Sequence, residues 1–472
     1  MSKKASVLAA VGCGTFMATL DASIVNIALP TLTKELDADL LQVKWVVIVY
    51  LLTITCLLLP FGRISDQYGR KWVFAGGYLV FTVGSVLCGL APTLGALLAV
   101  RAVQAVGAAM LMANGPAVIT YNVSERERGS TLGILAMIVS AGLIAGPSVG
   151  GFLISQFGWR SIFLANIPFG VLGLVLASLS LKSEDRPVDT RPFDGPGLIL
   201  QAVFLVSFVW LFEPPSVSFA GESPFPISRW VALAITVLFG FLLIKVEALA
   251  PAPLLDLSLL RLRNFWAANL ASFLNFVAFS AVSVLTPFYL EEVARVPTQR
   301  AGLYMTAIPL MVLIVAPIAG RLSDRFGSRV LTSVGASITA FALFGMSGTF
   351  GVGFSAGLSP VWILFALGSV GVATGLFQSP NNNSIMNAVP LSKLGVASAM
   401  LATFRNLGMV TGTGLATTLF SWQMSVTHDY ERSLHLAHWV AGLMGIGAVV
   451  ASLAKRPEKL AQQEAESKKK EE

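Results

Sequence analysis

Apolar stretches of about 20 residues, each long enough to carry a helix across roughly 30 Å of hydrocarbon, recur fourteen times along the chain. Six lie near 5–29, 43–62, 72–91, 94–121, 129–154 and 161–181, and two near 195–212 and 229–247. Six more follow near 264–290, 301–320, 330–350, 360–386, 394–421 and 436–454. A bilayer offers no water to backbone N–H and C=O groups, so uniformly apolar stretches of this length fold as helices. With 55% hydrophobic and only 12% charged residues and a mean hydropathy of +0.75, the chain is too apolar for a soluble domain. The expectation is an all-α membrane protein of fourteen transmembrane helices. It divides into a six-helix bundle (1–181), a central linker with two extra helices and an interfacial segment (182–263), a second six-helix bundle (264–454) and a charged cytoplasmic tail (455–472).

A net charge of +7 would suggest nucleic acid as the partner of a soluble protein, but here Lys and Arg stand between the apolar runs and read as topology. With the N-terminus inside, Arg63, Arg70, Lys71, Arg126, Arg128, Arg321, Arg325, Arg329 and the basic tail fall on the cytoplasmic face. Lys34, Lys44, Arg160, Arg229, Arg295, Arg300 and Arg432 are left opposite. The positive-inside rule thus gives a multi-pass protein of the cell inner (plasma) membrane with both termini cytoplasmic. The first run follows Met1-Ser-Lys-Lys as a signal peptide would, yet its length and its internal Asp21 mark it as a retained helix. Cys13, Cys56 and Cys88 all fall inside apolar runs and read as small buried side chains.

An internal repeat narrows the architecture. Gly62-Arg-Ile-Ser-Asp-Gln-Tyr-Gly-Arg-Lys71, after the second run, returns as Gly320-Arg-Leu-Ser-Asp-Arg-Phe-Gly-Ser-Arg329 after the second run of the last six. Gly129, Gly142 and Gly146 are matched at the same spacing by Gly395, Gly408 and Gly412. Duplicated six-helix halves around an extra pair describe a transporter whose site lies near the membrane midplane between the halves.

Further segments stand in a fixed order: Leu20-Asp-Ala-Ser-Ile-Val-Asn-Ile-Ala-Leu-Pro30, Arg101-Ala-Val-Gln104, Gly142-Leu-Ile-Ala-Gly-Pro-Ser-Val-Gly-Gly151, Trp159-Arg-Ser-Ile-Phe-Leu-Ala-Asn-Ile-Pro168 and Pro253-Leu-Leu-Asp-Leu-Ser-Leu-Leu-Arg-Leu-Arg-Asn-Phe265. On these and the repeated loop motif, the chain resembles the fourteen-span drug–proton antiporter branch of the major facilitator superfamily, the QacA/EmrB-like branch. Two positions depart from the pattern: Gln67 stands where a basic residue is usual, and Ala105 where a glycine is expected. The resemblance implies a major facilitator fold working by alternating access, with a proton as coupling ion and no other cofactor. It implies an amphipathic small-molecule or lipid-like substrate, a monomer, and a gating motif of Gly62, Asp66, Gly69, Arg70, Lys71 and the repeated Asp324, in which Asp66 latches the halves together on the inside.

Asp21 precedes Pro30, at the outer end of the first helix, by nine residues, and Arg101 follows Thr93, at the outer end of the fourth, by eight. At about 1.5 Å per residue both lie about 12–14 Å below the outer surface. Facing lipid, either would cost several kcal/mol, so both are expected inside the bundle, paired directly or through water. Desolvation favours the neutral acid and a neighbouring guanidinium favours the carboxylate, which leaves a carboxyl able to exchange a proton. A static ion pair that only fixes two helices is the alternative. Gly62 and Gly69 permit a tight turn, Asp66 can face a helix N-terminus, and Arg70 and Lys71 favour the inner face, with simple topogenic charge as the plain reading. Gly142, Gly146, Gly150 and Gly151 are expected close to one helix face, with Pro147 bending the helix; packing and gating fit equally well.

Gln104 beside Arg101, and Asn275, Gln378, Asn382 and Arg405 in the later runs, are the candidates for lining a substrate cavity, while interhelical hydrogen bonding accounts for at least one of Asn381-Asn-Asn383. His428, His435 and His438 read as a solvated loop before the last run rather than a metal site. Residues 254–263 read as a helix lying in the inner interface. No metal-ligand cluster, nucleophile–base pair or phosphate loop is visible, so no enzyme is expected. The expected function is proton-coupled export of amphipathic small molecules, of the multidrug efflux type. Export of an endogenous lipid or metabolite, and a non-transporting membrane sensor or scaffold, are the alternatives.

Overall fold

A computed structural model describes residues 3–122, 125–181, 194–212, 229–250, 254–351, 353–355, 358–389 and 394–456. The helices are α1 (Lys3–Glu35), α2 (Leu40–Val43), α3 (Trp45–Tyr68), α4 (Arg70–Leu90), α5 (Leu94–Asn122), α6 (Glu125–Phe157), α7 (Ser161–Leu164) and α8 (Asn166–Ser180) in the first half. The central pair is α9 (Gly195–Trp210) and α10 (Arg229–Leu249). The second half holds α11 (Arg263–Phe288), α12 (Thr298–Met305), α13 (Ala307–Phe326), α14 (Ser328–Met346), α15 (Pro360–Asn387), α16 (Leu394–Thr427) and α17 (Tyr430–Leu453). Every apolar run lies on a helix or on two helices joined through one residue, as at Ala165 and Thr306. Among the described residues, eleven helical stretches are long and apolar enough to cross a membrane, and two shorter apolar ones accompany them, Ala141–Phe157 and Gly195–Trp210.

The repeat in the sequence is a repeat in geometry. A single glycine joins α3 to α4 and another joins α13 to α14, with φ of 96° at Gly69 and 81° at Gly327. A side chain would be strained there, so both turns depend on glycine. Gly62, expected to share the turn, does not: α3 runs unbroken to Tyr68, and a Cβ at Gly62 would meet nothing within 4 Å.

Helix crossings depend on small residues because lipid tails are as apolar as leucine and drive no association between helices. A Cβ on Gly107 of α5 would sit 2.8 Å from Phe81 Cα of α4, and one on Gly84 of α4 would sit 2.7 Å from Gln104 Cα. At the equivalent crossing of α14 and α15, a Cβ on Gly335 would come within 2.8 Å of Ala373 O and Phe377 N.

Among the described residues, the hydrogen bonds and ion pair that join the two halves lie toward the end remote from the N-terminus. Lys34 Nζ pairs with Glu292 at 2.7 Å, Asn26 Nδ2 donates to Ser283 Oγ at 3.0 Å, and the Ser148 and Thr306 hydroxyls are 2.5 Å apart. Here α6 runs along α12, and α3 along α16. The central pair docks on this seam: Trp210 of α9 packs on Trp45 of α3 with ring centroids 5.9 Å apart, and Thr418 Oγ1 of α16 donates to Phe212 O at 2.7 Å. Thr236 of α10 donates to Ser207 of α9 at 3.0 Å.

Two expectations are corrected. Residues 254–263 do not form a helix lying in the interface; they hold one 3₁₀ turn, Leu259–Arg261. Leu259 is buried against Phe265, Ala268, Ile385 and Ala397, while Leu262 stays exposed. The histidines are a solvated loop only in part: His428 lies exposed between α16 and α17. His435 and His438 lie in the first turns of α17, where His438 is fully buried and His435 Nε2 lies 3.2 Å from Phe354 O. The expected tail begins with a buried anchor, Lys455, whose Nζ donates to Asn381 Oδ1 at 2.7 Å and to Thr332 Oγ1 at 3.1 Å.

The two helical glycines in the first half should answer differently to the same change. Gly62→Ala should hold or raise thermal stability in detergent, because alanine is favoured over glycine in a helix by about 1 kcal/mol. Gly107→Ala should lower it, overpacking against backbone costing about 1–3 kcal/mol. Equal effects would mean that the α4/α5 crossing is looser than described.

Candidate functional site

The polar centre of the first half is built on Asp21 of α1 and Arg101 of α5, 0% and 1% exposed. Arg101 Nη1 reaches Asp21 Oδ2 at 2.5 Å. The other carboxylate oxygen, Oδ1, accepts from Gln104 Nε2 at 3.0 Å and from Asn166 Nδ2 at 2.9 Å. Gln104 completes a ring: its Oε1 accepts from Arg101 Nη1 at 2.6 Å, and its Nε2 also lies 2.8 Å from Ser85 Oγ of α4. Arg101 Nε donates to Val46 O of α3 at 3.2 Å. The guanidinium lies over the Tyr50 ring at 4.0 Å and near the Phe163 ring at 5.4 Å.

The positions of these groups follow from local sequence. Arg101 and Gln104 are three apart on one helix and therefore share a face. Asn166 opens α8 just after the joint at Ala165, which turns it toward Asp21. Charge burial of this kind is tolerable only when each charged group finds partners, because desolvation costs several kcal/mol per ion. Here one carboxylate receives three donors and one guanidinium is shared among a carboxylate, an amide, a carbonyl and two aromatic faces. The arrangement holds a carboxylate closed off from water within the first bundle, with its counter-charge in place.

Sequence reasoning placed Asp21 and Arg101 at one depth, and the structure joins them directly. Gln104, expected at the substrate cavity, belongs instead to the shell of the ion pair. Asn166, Ser85 and Tyr50 were missed as members of that shell. A lone asparagine within an apolar run was the available signal for Asn166; Ser85 and Tyr50 carry none that separates them from packing residues.

The gating motif is visible in part. Lys71 Nζ donates to Ser178 O at 2.8 Å, a cation on a carbonyl in the last turn of α8. Arg70 is half-buried, and the side chains of Asp66 and Asp324 lie outside the described residues. The antiporter motif divides between two partners, correcting the expectation of one face. Gly142, Gly146 and Gly150 face α1, where Cβ atoms would collide with Thr19, Ser23 and Ile24. Gly151 faces the other half: a Cβ there would sit 2.9 Å from Thr298 O, and one on Gly302 would collide with Pro147 O. Of the cavity candidates, Asn275 is buried with Oδ1 unpartnered, while Gln378, Asn382 and Arg405 are half-buried.

The ion pair gives a stability prediction. Arg101→Ala should destabilise the purified protein by about 3–5 kcal/mol, because it strands a buried carboxylate, and should cost less in an Asp21→Asn background. Denaturant unfolding of the four proteins of this cycle checks it; an equal loss in both backgrounds would show the two residues to be energetically independent.

Comparison with known proteins agrees with this architecture. The Major Facilitator Superfamily pattern matches residues 11–413. The chain is 34% identical over 442 residues to the riboflavin transporter RibZ of Clostridioides difficile, covering 93% of each protein. It is 32% identical to the multidrug resistance protein Stp of Mycobacterium tuberculosis, covering 88% of this chain and 76% of that one. It is 30% identical to the methylenomycin A resistance protein of Streptomyces coelicolor, covering 96% of this chain and 93% of that one. The repeated helix–glycine–helix turns, the two halves that meet along α1, α6, α11 and α12, and this match over most of the length place the chain in the major facilitator superfamily.

Proposed function

We propose that this protein is a proton-coupled antiporter that exports amphipathic small molecules by alternating access, with fourteen spans and both termini in the cytoplasm. The observation that carries the reading is the buried Asp21–Arg101 pair with its shell. A transmembrane carboxylate held in a bundle with this many donors is a costly feature that marks ion pathways and proton relays. Relatives named for multidrug and antibiotic resistance support export as the direction. The described contacts between the halves lie toward the outer end under this topology, which supports an inward-facing arrangement, ready to load from the cytoplasm or inner leaflet. Outward opening would break the Lys34–Glu292 and Asn26–Ser283 contacts and bring Asp66, near the inner end of α3, into play as a latch.

A second reading has one observation in its favour, the similarity to a protein named a riboflavin transporter. In that reading the substrate is an endogenous planar metabolite rather than a foreign compound. A deletion strain that accumulates one native metabolite while keeping its drug sensitivity unchanged would favour it.

The coupling assignment is tested in proteoliposomes with an imposed pH gradient. Asp21→Asn keeps the side-chain size and hydrogen-bonding capacity but removes the titratable group, so uphill transport should be lost while substrate binding and downhill exchange persist. Substrate concentrated against its gradient at the wild-type rate by Asp21→Asn would move coupling elsewhere.

Charge in the site gives a second test. Asp21 is already neutralised by Arg101, and Arg405 of α16 makes no hydrogen bond or ion pair among the described residues. Positive charge is therefore in excess, and neutral, zwitterionic, anionic or singly cationic amphiphiles should be preferred over dications. Saturable export of a bivalent quaternary ammonium compound would contradict this count.

A further inference from the structure

A pair of carboxyl groups lies outside the site described above, at the N-terminal end of α9 and the C-terminal end of α10. Asp194 caps α9: its Oδ1 accepts from Gly197 N at 2.8 Å, while its Oδ2 is buried without a partner. Glu247, in the last turn of α10, is 3% exposed. Its Oε2 accepts from Leu255 N at 3.0 Å, while its Oε1 is also buried without a partner. The two orphan oxygens converge above one glycine, for a Cβ built on Gly197 would sit 2.5 Å from Asp194 Oδ2 and 2.9 Å from Glu247 Oε1.

No cation resolves this encounter among the described residues. The element packed against α10 is α9, with Asp194 at its start; α9 packs in turn on α3, which carries the half-buried Arg63 toward its inner end. On α10 itself, Lys245 Nζ turns to the Phe241 ring, 4.6 Å from its centroid. On the segment that follows, Asp256 Oδ1 accepts from Ser258. Two carboxylates held this close out of water cannot both ionise without strong repulsion. One proton held by the pair removes the repulsion. The N-terminal dipole of α9 favours negative charge on Asp194, which leaves Glu247 to carry the proton.

We propose that Asp194 and Glu247 hold one proton between them, forming a protonation site separate from Asp21. The proton joins the start of α9 to the end of α10, and through the Leu255 amide it ties both to the segment that enters the second bundle. Loss of the proton sets two charges against each other and loosens that junction, so the site acts as a pH-sensitive clasp on the central pair. The inference stands on these contacts and does not depend on the transport direction or on coupling at Asp21.

Infrared difference spectroscopy of the full-length protein in nanodiscs, titrated with pH, reads the proton directly. A protonated-carboxyl C=O band should be present near neutral pH, fall as pH rises, and lose that component in Glu247→Gln. Hydrogen exchange over residues 254–262, corrected for its intrinsic pH dependence, should accelerate in the wild type by about tenfold across the titration, the factor that one unit of proton linkage supplies. It should stay flat in Glu247→Gln, whose amide does not titrate. Asp194→Asn, which keeps the cap acceptor for Gly197, should flatten the profile too and serves if the first variant does not fold. An unchanged band in Glu247→Gln, or parallel exchange profiles in wild type and variants, would overturn the proposal. So would protection that depends on sodium or potassium with no carboxyl band at neutral pH, because a metal cation would then join the oxygens.

Discussion

A carboxylate and a guanidinium in the apolar middle of a helix bundle impose a requirement that several helices must meet together. Removing two ions from water costs more than their attraction returns unless further groups complete the shell. Here Asp21 comes from α1, Arg101 and Gln104 from α5, Ser85 from α4, the Val46 carbonyl and Tyr50 from α3, Phe163 from α7 and Asn166 from α8. Nearly every helix of the first half therefore gives an atom to this centre, and the relative placement of those helices is tied to its satisfaction. The second half has a serine in the corresponding stretch. Ser280 Oγ of α11 lies 3.0 Å from Met409 O of α16, which links two helices without a charge. The two halves share a fold and differ in chemistry at this position.

Close approach of backbones is the other constraint. Glycines at 84 and 107 let α4 meet α5, those at 142, 146 and 150 let α1 meet α6, and those at 408 and 412 let α11 meet α16. Gly151 and Gly302 do the same across the two halves. One motif on α6 thus serves packing within a bundle and contact between bundles, because residues 150 and 151 point about 100° apart on a helix. Movement of the halves has to disturb the second surface and can leave the first intact.

Much of this was legible in the sequence, because the signals were physical and local. Fourteen apolar runs, a repeated loop motif and charges placed between runs gave the helical plan, and Asp21 and Arg101 stood out as charges where none is cheap. What stayed hidden depended on three-dimensional proximity. Gly62 looked like a turn residue because it opens a motif, yet the helix continues past it and Gly69 alone takes positive φ. The segment 254–263 is amphipathic in composition, but it holds a single 3₁₀ turn, and its Leu259 is buried in the second bundle. His438 is polar in type and sits beside the edge of Phe354, 5.5 Å between ring centroids, a burial that no periodicity reveals. The Asp194–Glu247 encounter joins residues 53 positions apart, separated by a stretch with no pattern to pair them.

The central claim is that Asp21 exchanges a proton for substrate. Proton release can be followed with a pH indicator when a transported amphiphile is added to the purified protein in weakly buffered solution, at a pH where the site is partly loaded. Wild-type protein should release a fraction of a proton per substrate bound that equals the loaded fraction of the site, and Asp21→Asn should bind substrate with no release. The same release from both proteins would contradict the account, since the exchanged proton would then come from another group.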